Sequence, residues 1–283
     1  MALQNNAVLV RISIGKFDPK RKNKKAAEEY SQRHGVDAKM HSAADTLVPP
    51  EYTEHIGNLA AAARNLVARY TLPWQDRGYR LCPMGQLTRL MDEVTALRSQ
   101  WKAATDKFIK NYDFIVDEAR VRLNGAFDER HYPSAKEITS RFRFEVDYAP
   151  VPERGHFVVD SEAEAIAEIV AEEEAKTKDR VADAMQDLRD RLVERLGHLA
   201  TKCAEYGKDG KKSKMHETTL GNLVELLDDI PRMLVDDDPV LLAAVKQTKD
   251  AIDGVDIEGL RNSEEVRKDV AERASKILST FDF

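Results

Sequence analysis

The chain has 283 residues, 42% of them hydrophobic and 33% charged, with a formal net charge of −6, which excludes an intrinsically disordered chain and predicts a globular protein rich in surface helix. No apolar run approaches the roughly 20 residues that span a bilayer, and the opening "MALQNNAVLVRISIG" has neither the basic start nor the cleavage site of a signal peptide. The expectation is a cytoplasmic protein with no membrane attachment, in which the widely separated Cys82 and Cys203 are reduced thiols on apolar faces.

The first element is "AVLVRISI". Val8, Val10, Ile12 and Ile14 alternate with Leu9, Arg11 and Ser13, the period of a strand. After a basic turn containing Pro19, "KKAAEEYSQRHG" predicts a short helix stopped at Gly35. A second helix starts near "VPPEYTEH" and ends before Pro73, with Ile56, Leu59, Ala63 and Leu66 at helical spacing. "TLPWQDRGYRLCP" reads as a structured turn or short hairpin. From Pro83, Leu87, Leu90, Val94, Leu97, Trp101, Phe108, Tyr112 and Ile115 recur at steps of three and four. They predict one amphipathic helix to about Leu123, roughly 60 Å long, with Gly125 as its stop.

"RFRFEVDYAP" then alternates Phe142, Phe144, Val146 and Tyr148 with Arg141, Arg143, Glu145 and Asp147, a half-buried strand. "PVPERG" reverses the chain and "HFVVD" returns. A two-stranded ribbon is marginal alone, so the passage is expected to pair with "AVLVRISI" in a small mixed sheet that caps the helices. "DSEAEAIAE" places acids in a first helical turn, and this second long helix runs from Ser161 to Tyr206, its apolar stripe weakening between Ala171 and Lys178. The two long helices are expected antiparallel, the second one's stripe serving an intramolecular coiled coil in preference to a subunit interface. Three shorter helices, separated by Pro231, by Asp238 with Pro239, and by Gly254 to Gly259, would pack on them. The class is therefore mainly α (α+β), with a helical body over 1–206 and a C-terminal helical segment over 207–283.

Motifs for catalysis are sparse. "SIGKFD" sets Gly15 and Lys16 after a strand, yet the GxxxxGK[ST] frame and its glycine-rich cradle are missing. The seven histidines show no ligand spacing. "DDDP" offers carboxylates to a hard cation, but Asp238 as a helix cap with Pro239 at the first position accounts for it better. No catalytic residue, cofactor or metal site is predicted.

Charge is segregated. Gly15 to Lys25 holds six basic residues and one acid, whereas Asp160 to Glu174 holds seven acids and no base. Lys16, Lys20, Arg21, Lys22, Lys24 and Lys25, together with Lys208, Lys211, Lys212 and Lys214, are the candidate contacts to a phosphate backbone, against the simpler account of two solvated loops. Trp74 and Tyr79, beside Arg77 and Arg80, either stack bases or anchor their turn; anchoring is the expectation. The terminal "LSTFDF" joins acid and aromatic in a tip suited to docking, or simply packs as a helix end.

"NAVLVRISIGKF", "TLPWQDRGYRLCP", "YPS" (Tyr132 to Ser134), "RFRFEVDYAPVP" and "HFVV", in that order, resemble a family of phage, prophage and bacterial proteins, domain of unknown function 3150. The resemblance covers about the first 200 residues and carries no catalytic signature. It implies a phage or mobile-element setting in a bacterial host cell, beside genes for AAA-type ATPases or DNA metabolism. The expected function is a non-enzymatic, oligomeric accessory factor in phage DNA transactions, acting through self-association or a phage or host protein such as an AAA-type ATPase. The alternative is nucleic-acid binding through the basic loops.

Overall fold

A computed structural model describes residues 3–37, 39–74, 78–152, 163–207 and 215–279, with side chains for all of these except 4, 5 and 163–170. The protein is mainly α with a small antiparallel β component. The strands are β1 (Ala7–Gly15), β2 (Lys20–Lys22), β3 (Ala44–Thr46), β4 (Leu72–Pro73), β5 (Arg80–Pro83) and β6 (Arg143–Pro150). The helices are α1 (Leu3–Asn6), α2 (Lys24–His34), α3 (Glu54–Tyr70), α4 (Met84–Lys110), α5 (Tyr112–Leu123), α6 (Ala135–Arg141), α7 (Ala163–Glu205), α8 (Glu217–Met233), α9 (Pro239–Ile252), α10 (Ile257–Asn262) and α11 (Glu264–Leu278).

β1 sits inside a sheet of order β4-β5-β1-β6, so the "RFRFEVDYAP" passage does pair with the first strand. The sheet is antiparallel rather than mixed, and β1 meets β5 in the register Ala7↔Pro83, Leu9↔Leu81. Ala7, Leu9 and Val10 are all buried, so the first half of β1 is covered on both faces, since successive residues point to opposite sides. "HFVVD" lies outside the described residues.

Two compact units interleave along the chain. One comprises Met1–Arg11, Ala68–Arg89 and Tyr148–Phe283, the other Ile12–Val67 and Leu90–Asp147. The expected boundary at 206/207 instead falls within the first unit, between α7 and α8. That unit is leucine-rich: Leu188, Leu192, Leu196 and Leu199 of α7 share a core with Leu223, Leu227 and Ile230 of α8 and with Val270, Ala274 and Ile277 of α11. Residues 171 to 179 of α7 are almost all exposed, where the sequence stripe fades. Pro231 does not separate helices; α8 runs through it to Met233. Having no N–H, Pro231 cannot bond Leu227 O, and the helix ends two residues beyond it.

The second unit has an aromatic core. Trp101 and Phe108 of α4 meet Phe142 at 6.3 and 5.5 Å between ring centroids, both edge-on, and Phe144 of β6 lies 6.0 Å from Trp101. Edge-to-face pairs add about 0.5–1.5 kcal/mol each beyond the area they bury. The stripe of α7 is closed by the leucine-rich core of the first unit, and Trp101, Phe108, Tyr112 and Ile115 of the α4–α5 stripe by the aromatic core of the second. The expected single helix from Pro83 to Leu123 is broken at Asn111. There the side-chain Nδ2 donates to Lys107 O at 2.7 Å while the backbone N–H is shared between Lys107 O and Phe108 O, and such local competition for carbonyls interrupts a helix.

Candidate nucleic-acid interface

The basic stretch is built on a β2–α2–β3 module in the aromatic unit. Lys20, Arg21 and Lys22 form a strand that pairs antiparallel with β3 in the register Lys20↔Thr46, Arg21↔Asp45, Lys22↔Ala44. A three-residue strand made only of cations cannot be held by its own side chains, so the backbone and its neighbours hold it. Lys20 N–H donates to Asp18 Oδ1 at 2.9 Å, Leu47 N–H to Pro19 O at 2.7 Å and Asn23 N–H to Ala43 O at 2.9 Å. Asn23 is the hinge pin of the module. Its Oδ1 caps α2 by accepting from Ala26 N–H at 2.9 Å, while its Nδ2 donates to both carboxylate oxygens of Asp45 at 3.1 and 2.9 Å. The acid facing Arg21 across the ribbon is thereby engaged by an amide.

Apolar residues pin the module at both ends. Phe17 is only 3% exposed, 6.3 Å from the Phe108 ring and beneath the Arg141 guanidinium; Leu47 and Val48 are buried at the other end. Lys16, Lys20, Arg21, Lys22, Lys24 and Lys25 are all exposed. Among the described residues the first five make no ion pair. Lys25 has one, with Glu29 at 4.0 Å and both side chains exposed, a geometry that contributes little. The structure therefore brings five of the ten predicted cations onto one module, with Lys16 in the turn that leads into it. Lys208, Lys211, Lys212 and Lys214 lie outside the described residues.

Tyr30, His34 and His41 escape the sequence reading. The Tyr30 ring is 4.1 Å from His41, nearly parallel, and 4.4 Å from His34. The i, i+4 spacing of Tyr30 and His34 on α2 was the available signal; His41 comes from the loop that α2 and β3 close, so no local pattern reveals it.

Other sequence candidates resolve as structure. An added Cβ at Gly15 would stand 2.9 Å from Arg141 O, so the glycine serves close backbone packing rather than a phosphate cradle. Asp238 does cap α9, accepting from Leu241 N–H at 2.9 Å, and also accepts from Arg189 Nε at 2.7 Å. Trp74 is buried under Arg180, and Arg80 Nε donates to Thr71 Oγ1 at 2.7 Å; both anchor their turn. Arg77 lies outside the described residues. Cys82 and Cys203 are free and buried, and burial pushes the Cys82 thiol up to about 12. Among the described residues no three His, Cys, Asp or Glu side chains converge as a metal site, and no helix is long and apolar enough to cross a membrane.

Sequence reasoning also missed Asp229, a buried carboxylate on α8. It accepts from Arg89 Nη1 at 2.6 Å, Gln86 Nε2 at 3.2 Å and Arg69 Nη2 at 3.3 Å. Gln86, not Leu87, takes the fully buried position on α4, where its amide adds a donor to the buried carboxylate. The network ties α8 to the ends of α3 and α4. Neither a protein-family model, nor a curated protein, nor a solved structure matches the chain.

Proposed function

We propose that the protein binds the phosphate backbone of nucleic acid through the β2–α2–β3 module and works as a non-enzymatic accessory factor in phage or mobile-element DNA transactions in the bacterial cytoplasm. The supporting observation is the set of six exposed cations from Lys16 to Lys25 that intramolecular partners leave almost wholly unpaired, five of them on a module pinned by Phe17, Leu47 and Val48. A solvated basic loop of a protein with net charge −6 needs no such scaffold; displacement of counterions from a polyanion makes use of one. Lys208, Lys211, Lys212 and Lys214 extend the proposal by charge alone. The phage setting rests on the ordered motifs that resemble the phage and prophage family.

Fluorescence anisotropy across a salt series tests this. With six contacts, log K falls against log salt with a slope of up to about −5 on duplex DNA. Replacing Lys20, Arg21, Lys22 and Lys24 by Glu removes about 3 to 4 from that slope. Binding unchanged by the quadruple substitution overturns the proposal.

A second reading is assembly, as an oligomer or on a phage or host protein such as an AAA-type ATPase. It is favoured by Phe114 and Val121, 63% and 80% exposed and two turns apart on one face of α5. Light scattering should then show a defined oligomer that Phe114→Glu with Val121→Glu dissociates. A monomer at high concentration removes self-association.

A further inference from the structure

We infer that the nucleic acid held by the basic module is single-stranded, its unpaired bases stacking on the ring cluster of Tyr30, His34 and His41; this rests on the function proposed above. The Tyr30 ring centroid lies 4.1 Å from that of His41, at 20° between planes, and 4.4 Å from that of His34, at 36°, so the three rings form one contiguous aromatic cluster. The cluster is at the surface. Tyr30 is 46% exposed, His34 is exposed, and the neighbouring Met40 is 81% exposed. None of the three rings belongs to the aromatic core of the unit.

The cluster adjoins the cations. Asn23 N–H bonds Ala43 O at 2.9 Å, with Lys24 next to one partner and His41 two residues from the other, a chain reach under about 8 Å. Tyr30 stands about 9 Å further along α2 than Lys24. The exposed Arg33, three residues after Tyr30, shares its side of the helix and makes no ion pair among the described residues. Phosphate contacts alone do not distinguish strandedness. Surface rings do, because bases in a duplex are already stacked and paired, while unpaired bases present an open π-face to an aromatic platform.

The test is anisotropy on the full chain with labelled oligothymidylate, oligouridylate and a DNA duplex of equal length. Both single strands should bind more tightly than the duplex. Tyr30→Ala should weaken both about tenfold, equivalent to about 1.4 kcal/mol, and leave duplex binding within about twofold. Tyr30→Trp keeps a stacking ring should the alanine variant loosen the loop; its added fluorescence should be quenched by oligothymidylate and not by duplex. Equal affinity for single and double strands, or an equal loss on both with Tyr30→Ala, overturns the inference while salt-dependent duplex binding keeps the proposed function standing. Failure of the unmodified protein to bind any of the three overturns both.

Discussion

Asp238 shows how one residue couples fold to pH. Burial works to raise its carboxyl, but the hydrogen bonds from Arg189 and the Leu241 amide outweigh burial and hold it below the ordinary carboxylate range. A depressed folded-state value contributes stability that is present above the unfolded value near 4 and lost as pH falls through the lower folded one. Asp238→Asn keeps a capping side chain and loses the charge. It should cost about 1–3 kcal/mol at pH 7, a gap that urea titrations should see close as the pH drops below about 4. Cys82 gives a second residue-scale expectation. Burial pushes its thiol up to about 12, and burial also raises Cys203. Little thiolate then exists at pH 8, so Ellman's reagent should titrate both thiols rapidly only after denaturation. Fast native labelling of Cys82 would contradict its burial.

At the level of elements, helix and strand identities were legible because periodicity is local, and the interruptions were not. Gly35 ends α2 with φ at +63°, as the sequence predicts, whereas the break at Asn111 depends on a side chain reaching its own carbonyls. Two glycines in helices separate propensity from packing. Gly221 on α8 has open space where a Cβ would stand; at Gly85 on α4 the added atom would stand 2.9 Å from Arg232 O. Gly221→Ala should therefore raise stability by about 0.5–1 kcal/mol, while Gly85→Ala should lower it. Chemical denaturation of the two variants beside the parent decides this, and an equal gain in both would show that the α4 contact yields freely.

For the whole molecule, segment order and compact unit do not coincide. The unit boundaries fall inside β1, α3, α4 and β6, and the Leu188 to Leu199 stripe of α7 is covered by α8 and α11 from the last third of the chain. A fragment of residues 1–206 leaves that stripe bare. It should bind a hydrophobic dye and melt without a cooperative transition, where the full chain melts sharply; a folded, dye-silent fragment would mean the stripe finds another cover.

The amino-acid sequence by itself determined the helical class, the span of α7, the strands around Val10 and Phe144, the cap at Asp238 and the clustering of six cations between Lys16 and Lys25. Each follows from spacing or composition within a few residues. Only the tertiary structure decided that Gln86 rather than Leu87 is buried, since Asp229 stands 143 residues away, and that His41 closes on Tyr30 beside the basic ribbon. Such pairings depend on which distant segments share a core, and no pattern along the chain encodes that.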